Sequence, residues 1–221
     1  MLRRPMNLPR PRHAGIVVAL LAYLAASIPA GADEASVVGK VAKSRPVAGS
    51  KLDGRSLPVA DGGDVHRNEQ LWTGAGGRVQ LALSDGSAVE LGENARLTLD
   101  EFVLPDGGAG RLVLRSIAGA FRFAGGAIDQ SAAAGAKDGA VKIVTPVATM
   151  TVRGTDFFAG PIDGAYGVFV FHGEVAVATS AGSVTLKDGE GTSMKRSSEP
   201  PAPVKRWPAA KIARAVKLVG F

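Results

Sequence analysis

The sequence predicts an all-β protein, an antiparallel β sandwich or solenoid-like β roll of about a dozen short strands followed by a short C-terminal helix. Three observations support this prediction. Apolar and polar residues alternate in short runs, which is the pattern of half-buried strands. Glycines, of which the chain has 29, separate these runs. Amphipathic helical periodicity is almost absent after residue 32, so little of the remaining chain is expected to be helical.

The N-terminus has the three parts of a secretory signal peptide. Residues 1–13 carry four arginines and no acid, residues 14–28 form an apolar run, and Ala30-Gly31-Ala32 matches the A-x-A cleavage pattern. We expect cleavage after Ala32 and a periplasmic or secreted location. The alternative is an uncleaved membrane anchor, but the apolar run is shorter than the roughly 20 residues that span a bilayer.

Cleavage would change the charge of the protein. The full chain has 26 basic and 20 acidic residues, and loss of the first 32 residues leaves 22 basic against 20 acidic, a net charge of +2. Residues 33–192 carry a net charge of −4, whereas residues 193–221 carry +6. We therefore expect a mildly acidic body with a basic tail, and no nucleic-acid partner. The chain has no cysteine, so it can form no disulfide.

The first half of the predicted domain contains strands joined by turns. Residues 35–42 indicate a first strand, and residues 43–63 indicate a long surface loop or a loosely held hairpin. Residues 64–73 resume the β pattern. Three strands then follow in close succession, at 78–84, 87–91 and 95–99. Asp85-Gly86 between the first two predicts a type I′ hairpin turn, because this pair tolerates positive φ angles.

The second half continues the pattern after one interruption. Further strands are predicted around Leu112-Leu114 and Phe121-Phe123. Residues 124–140 are small and glycine-rich with few apolar side chains to bury, so they predict a mobile excursion from the domain. Three more strands are predicted near the end, at 166–171, 174–179 and 183–187, with turns at His172-Gly173 and Ala181-Gly182.

The stretch from Lys142 to Gly160 predicts a strand pair broken by Thr145-Pro146 and closed by Arg153-Gly154-Thr155. Pro146 has no N–H to donate, so we expect it at a strand start or edge. Gly154 allows a sharp bend, and Phe157-Phe158 supplies apolar bulk. The favoured interpretation is structural core with a tight turn.

Six short motifs along the chain resemble the FecR-type domain. They are Gly-Asp-Val at 63–65, Trp-Thr-Gly with a glycine pair at 72–77, Val-x-Leu-x-Leu-x-Asp-Gly-Ser at 79–87, Thr-Pro-x-Ala at 145–148, Arg-Gly-Thr-Asp-Phe at 153–157 and Gly-Glu-Val at 173–175. The similarity covers residues 61–194 of a domain predicted at 33–194. The resemblance implies an all-β, non-catalytic envelope module, which in its namesakes relays a transport or iron-uptake signal to a sigma factor. Structural motif roles are assigned to Asp85, Gly86, Thr145, Pro146, Arg153, Gly154, Thr155, Phe157 and Gly173.

The chain departs from those regulators at its N-terminus. They carry a cytoplasmic anti-sigma segment and a membrane span before the domain, whereas here the predicted signal peptide stands directly before it. The sequence therefore favours a stand-alone secreted version of the module that contacts an unidentified envelope protein.

Catalytic and metal-binding patterns are weak. The chain after residue 32 has two histidines, His66 and His172, and no G-x-S-x-G, H-x-x-x-H or C-x-x-C sequence. We expect no enzyme activity, no metal and no cofactor. Two alternatives remain. A cell-wall or polysaccharide-binding module would display a row of exposed aromatics, and a glycoside-acting enzyme would need paired carboxylates in a cleft.

Residues 195–221 form a separate C-terminal segment. Its first part, 197–208, is a proline-rich linker, and 209–218 predicts a short basic amphipathic helix. The candidate contacts with a membrane, an anionic envelope surface or a partner are Trp207, Lys211, Arg214 and Lys217. The favoured alternative is that the apolar side of this helix packs on the β domain and covers an open sheet edge.

Overall fold

The computed structural model describes residues 36–104, 110–133 and 141–221, with side chains except at 131–133. Within these ranges the chain forms sixteen strands and two helices. The strands are β1 (Val37–Arg45), β2 (Ala48–Leu52), β3 (Arg55–Leu57), β4 (Asp64–His66), β5 (Gln70–Thr73), β6 (Arg78–Leu83), β7 (Ala88–Leu91), β8 (Arg96–Val103), β9 (Arg111–Ala118), β10 (Phe121–Ala124), β11 (Val141–Val144), β12 (Thr149–Ile162), β13 (Ala165–Ala178), β14 (Ser183–Leu186), β15 (Glu190–Met194) and β16 (Lys205–Arg206). The helices are α1 (Ala127–Ala133) and α2 (Ala209–Val219).

The strands form one sheet that curls into two facing walls. The first wall has the order β3-β2-β5-β8-β9-β11 and continues into β12, β13 and β14. The second wall has the order β4-β1-β6-β7-β10, continues into β12 and β13, and ends with β15 and β16. The two long strands therefore belong to both walls.

The crossing from one wall to the other is built into β12. Its residues 149–152 pair with β11 and its residues 156–159 pair with β10, while β13 pairs with both halves. The register between β12 and β13 shifts between Arg153 and Asp156. Bulged strands that pass from one sheet to another form the corners of β sandwiches. We call the bulge at 153–156 and the facing residues 172–174 the corner.

Alternate residues of both walls point inward and form the core. In β6 and β7 the pattern is regular: Val79, Leu81, Val89 and Leu91 are buried, and the residues between them are partly or fully exposed. The inward side chains of both walls belong to one hydrophobic cluster, which also contains Ile128 of α1. Helix α1 therefore contributes to the core beside the corner.

Helix α2 packs on the outer face of the second wall. There a second hydrophobic cluster joins Phe158 and Phe169 of the sheet to Ala215 and Val219 of the helix. Fully burying a valine side chain stabilises a protein by about 1.5–3 kcal/mol, so this contact is a substantial part of the fold. The expected packing of the helix on the β domain is therefore observed, but on a sheet face rather than a sheet edge.

Small residues make room for this helix. Gly92, Ala120, Gly160 and Gly167 lie side by side across neighbouring strands of the second wall. A methyl group on Gly92 would overlap the carbonyl oxygen of Leu218. A methyl group on Gly160 would overlap Ala120, and one on Gly167 would overlap Ile162 and the Trp207 ring, so the three glycines of this row have no space for a side chain.

The predicted all-β class and C-terminal helix are confirmed, with two refinements. The sheet is not entirely antiparallel, because β9 and β11 pair in parallel. Residues 43–63, predicted as a loop or loosely held hairpin, contain the hairpin β2–β3, and β2 is hydrogen-bonded to β5. Neither described helix is long and apolar enough to cross a membrane. The predicted signal peptide lies outside the described residues.

Candidate functional site

Four of the nine predicted motif residues, Arg153, Gly154, Thr155 and Gly173, meet at the corner. Gly154 and Gly173 have φ angles of +61° and +89° and face each other across β12 and β13. A methyl group on Gly173 would overlap the carbonyl group of Gly154. The prediction of turns at 153–155 and at 172–173 is wrong, because both segments lie inside the continuous strands β12 and β13. A glycine with positive φ suits a bulge as well as a turn.

A buried carboxylate of α1 holds the bulge in place. Asp129 is fully buried, and its two oxygens accept hydrogen bonds from the N–H groups of Gly154 (2.8 Å) and Thr155 (2.6 Å). Burial raises the pKa of Asp129, and these two hydrogen bonds only partly oppose that effect. The Thr155 hydroxyl accepts a hydrogen bond from the Arg153 N–H and donates one to the Glu174 carbonyl oxygen. Backbone groups that the bulge removes from the ladder are thus satisfied.

The hairpin turn between β6 and β7 holds the other side of α1. The Asp85 carboxylate accepts hydrogen bonds from the N–H (2.9 Å) and hydroxyl (2.8 Å) of Ser87. The Ser87 hydroxyl in turn accepts one from the Gly126 N–H (2.9 Å), and the Asp85 carbonyl accepts one from the Ala127 N–H (2.8 Å). The first N–H groups of a helix have no partner within the helix, and here the turn supplies partners for them.

The same turn differs in type from the prediction. In this hairpin only Gly86 has a positive φ, +85°, whereas a type I′ turn needs positive φ at both central residues. Gly86 follows a turn closed by its own N–H on the Leu83 carbonyl, which is the arrangement of a three-residue hairpin loop.

The prediction that residues 124–140 leave the domain is wrong for residues 124–133. Ile128 and Asp129 are fully buried, and at Gly125 and Gly126 there is no room for a side chain. The remainder of the predicted mobile segment, residues 134–140, lies outside the described residues. Sequence reasoning missed Asp129, Ser87 and both glycines as parts of one network. The available signal was the run Gly125-Gly126-Ala127-Ile128-Asp129, in which an acidic residue of a first helical turn follows an apolar residue.

The hydrogen bonds of Asp129 and Asp85 hold the backbone of the corner and of the β6–β7 turn in place. Each oxygen of Asp129 accepts a backbone N–H, and the Asp85 carboxylate accepts donors from Ser87. These are the partners of structural carboxylates rather than of an acid–base pair open to a substrate.

The other predicted motif residues lie away from the network. Thr145 and Pro146 form the hairpin turn between β11 and β12, where the Thr145 hydroxyl donates to the Ala148 carbonyl (2.8 Å) and accepts from its N–H (3.0 Å). Pro146 is therefore in a turn rather than at a strand start. Phe157 is in the core, with its ring centroid 6.0 Å from those of Phe121 and Phe123.

The candidate contacts of the C-terminal segment are largely engaged within the protein. The Trp207 ring stacks on Phe169 at 5.2 Å, and the Lys211 ammonium lies 4.0 Å above the indole. Asp163 accepts two hydrogen bonds from Arg214, which hold the pKa of that carboxyl below its usual value. Lys217 is exposed on the same helix.

The two tryptophans do not form an aromatic row. Trp72 lies on β5 in the first wall, partly exposed, whereas Trp207 packs against the second wall. The row expected of a polysaccharide-binding face is therefore not observed with these residues.

The histidines are paired with single acids. His66 Nδ1 lies 3.1 Å from the buried Glu69 carboxylate, and the exposed His172 lies 3.4 Å from Asp188. His172 is within β13 rather than in a hairpin turn. Across the part of the chain that the structure describes, no three His, Cys, Asp or Glu residues are grouped as a metal site.

The outer face of the first wall is uncovered in the part of the chain that the structure describes. Outward residues such as Lys142, Arg153, Ala176 and Thr185 are exposed, whereas Phe158 and Phe169 on the outer face of the second wall are buried under α2. We call this outer surface of β2, β5, β8, β9, β11, β14 and the adjoining halves of β12 and β13 the open face. It is the candidate site for a partner.

Comparisons with known proteins agree with the motif order. Residues 69–176 match a family model described as FecR protein. This range contains five of the six motifs and leaves out Gly-Asp-Val at 63–65. No curated protein matches the chain.

Two solved structures are similar to part of the chain. Both are crystal structures, at 1.65 and 2.50 Å resolution, of a protein from Parabacteroides distasonis that is provisionally described as an anti-sigma factor. Each is 19% identical with a TM-score of 0.49 and covers 65% of this chain. The match spans 62% of the length of that protein, less than two thirds.

Proposed function

Because residues 69–176 belong to the FecR family, we propose that the protein is a non-catalytic envelope protein that relays a signal by contact with another protein. The family match is the observation that carries this proposal. The location, periplasmic or secreted, rests on the signal-peptide pattern of residues 1–32.

The chemistry of the corner supports a role in binding rather than catalysis. The polar motif residues that could have suggested an active site, Asp85, Ser87 and Thr155, are buried and hydrogen-bonded to the backbone or to each other. The fold instead presents a two-walled domain whose one outer face is covered by α2 and whose other outer face is exposed. An exposed sheet face of this kind is available for contact with another protein.

The test is chemical crosslinking in the native host with the full-length chain. We expect the chain in the envelope fraction and one envelope protein crosslinked to it. Deletion of the gene should change a limited set of transcripts, and the full-length chain should restore them. The matched control is the same chain without residues 1–32, which should remain in the cytoplasm and lose both the adduct and the rescue.

The proposal is wrong if the full-length chain captures no protein, or if the control without residues 1–32 restores the transcripts equally well. Hydrolysis of envelope glycans by the purified chain would favour the glycoside-acting alternative instead.

A further inference from the structure

The open face is positively charged although the body of the protein is acidic. Its outward basic residues are Lys51, Arg96, Arg111, Arg115, Lys142 and Arg153. Its outward acidic residues are Asp100, Glu101 and Glu174. The face therefore has three more basic than acidic residues, while residues 33–192 as a whole have a net charge of −4. The positive charge is concentrated on one surface.

Much of this charge has no partner within the described chain. Arg115 pairs with Asp100 at 2.7 Å and Arg111 with Glu101 at 2.8 Å. Of the other four basic residues, none forms an ion pair with a described acid. Arg153 lies opposite Glu174 in the strand register, yet the two form no ion pair. Exposed charges without internal partners are available to a ligand.

The unpaired basic residues are spread over a broad area rather than along a line. They lie on β2, β8, β11 and β12, and the sheet order places β2 and β12 five strand spacings apart, about 24 Å. Two exposed apolar side chains, Trp72 and Ile117, lie on the same face with exposures of 36% and 40%. Arginine and aromatic residues are enriched in protein–protein interfaces.

The shape of the face excludes a deep ligand pocket as its main feature. One cleft of about 250 Å³ is lined by Thr151, Arg153 and Glu174, and another of about 320 Å³ lies beside Thr149 and Ala178. Small-molecule sites usually enclose about 300–1,000 Å³, so these clefts are at the lower limit. A broad face with clefts of this size suits contact with another macromolecule better than enclosure of a small ligand.

We propose that the open face binds an acidic surface of a partner protein. This inference rests on the proposed function, to which it adds the face used and the charge of the partner. The unpaired basic residues steer the encounter with the acidic partner, and Trp72 and Ile117 provide apolar contact.

The test places a photo-crosslinking amino acid in the full-length chain in the native host. One set of variants carries it on the open face, at Ile117 or Thr185. The control set carries it on the exposed side of α2, at Ala209 or Ala213. We expect one protein adduct from the open-face positions, no such adduct from α2, and a contact segment in the captured protein that is rich in Asp and Glu.

Charge reversal tests whether the positive charge matters. In R96E/K142E/R153E the adduct from Ile117 should be lost. The matched variant K195E/K205E/K217E reverses three exposed lysines away from the open face, one directly after β15, one in β16 and one in α2, and it should retain the adduct. Thermal unfolding of both variants checks that they fold. If R96E/K142E/R153E does not fold, the charge-neutral variant R96Q/K142Q/R153Q replaces it, and we expect that variant to weaken the adduct.

Several outcomes would overturn the proposal. An adduct found only from α2 would leave the proposed function standing but place the partner on another face. An adduct from Ile117 that persists in R96E/K142E/R153E would leave the open face as the contact surface but overturn the acidic character of the partner. Adducts with lipid, polysaccharide or a second copy of the chain would exclude an acidic partner protein at this face. If neither set of positions captures a protein, the proposed function itself fails.

Discussion

Asp129 is the residue through which α1 holds the corner together. Both of its carboxylate oxygens accept backbone N–H groups of the bulge, and the side chain has no exposed surface. In D129A the N–H groups of Gly154 and Thr155 would be buried without partners, each at a cost of about 1–3 kcal/mol. We expect the free energy of unfolding to fall by about 2–4 kcal/mol in urea titrations. The matched control Q130A changes an exposed neighbour in the same helix and should stay within about 0.5 kcal/mol.

The ionisation of Asp129 should be visible in the pH dependence of stability. Burial raises its pKa in the folded protein above the unfolded value of about 3.9. The folded state therefore favours the protonated form, and the resulting stabilisation is complete below that unfolded value and is lost as the pH rises through the folded pKa. Relative to D129N, whose side chain does not ionise, the wild-type protein should lose stability as the pH rises above about 4 and through the raised pKa of Asp129. A difference between the two that is constant, or that grows with pH in favour of the wild type, would contradict this assignment.

Some of the corner could be predicted from the sequence, because part of its chemistry is local. Gly154 and Gly173 were identified as bends, since glycine is the residue that adopts positive φ without strain. Their pairing in one bulge, and the contact of Asp129 with residues 25 and 26 positions away, depend on the topology. No periodicity in a single sequence carries that information.

At the scale of elements, α2 belongs to the folded domain, because it packs on the outer face of the second wall. Its buried side contacts Phe158 and Phe169, and its linker residue Trp207 stacks on Phe169. Ala215 is fully buried in this contact, whereas Ala213 on the same helix is exposed. The amphipathic pattern predicted the helix and its packing, while the sheet face to which it binds required knowledge of the small-residue row at 92, 120, 160 and 167.

The substitutions A215E and A213E therefore form a matched pair. At residue 215 the carboxylate would be buried against apolar side chains, and we expect the free energy of unfolding to fall by about 3 kcal/mol. At residue 213 the same side chain would face water, with a change within about 0.5 kcal/mol. Thermal or urea unfolding of the purified variants measures both. Equal effects at the two positions would mean that α2 does not pack as described.

At the scale of the whole molecule, the sequence predicted the class of the fold but not how its walls are joined. Alternating runs and turn residues identified most strands, since these signals are local. The parallel pair β9–β11 and the two fourteen-residue strands shared by both walls arise from long-range pairing. The glycines at 153–155 and 172–173 indicate a bend. They do not show whether the bend separates two short strands or lies within one long strand.

Because β12 and β13 run through both walls, the two walls should unfold as one cooperative unit. The protein carries its own probes for this prediction, since Trp72 lies on the first wall and Trp207 packs on the second. In W207F the fluorescence reports the first wall, and in W72F it reports the second. Within each variant we expect the urea midpoint from fluorescence to coincide with the midpoint from far-UV circular dichroism, as two-state unfolding requires. If the fluorescence midpoint of W207F lay at a lower urea concentration than its circular dichroism midpoint, the first wall would unfold before the rest of the sheet. The corner would then be a hinge between two separately stable sheets. A partner bound to the open face could then act on one wall alone, whereas coincident transitions mean that binding stabilises the entire domain.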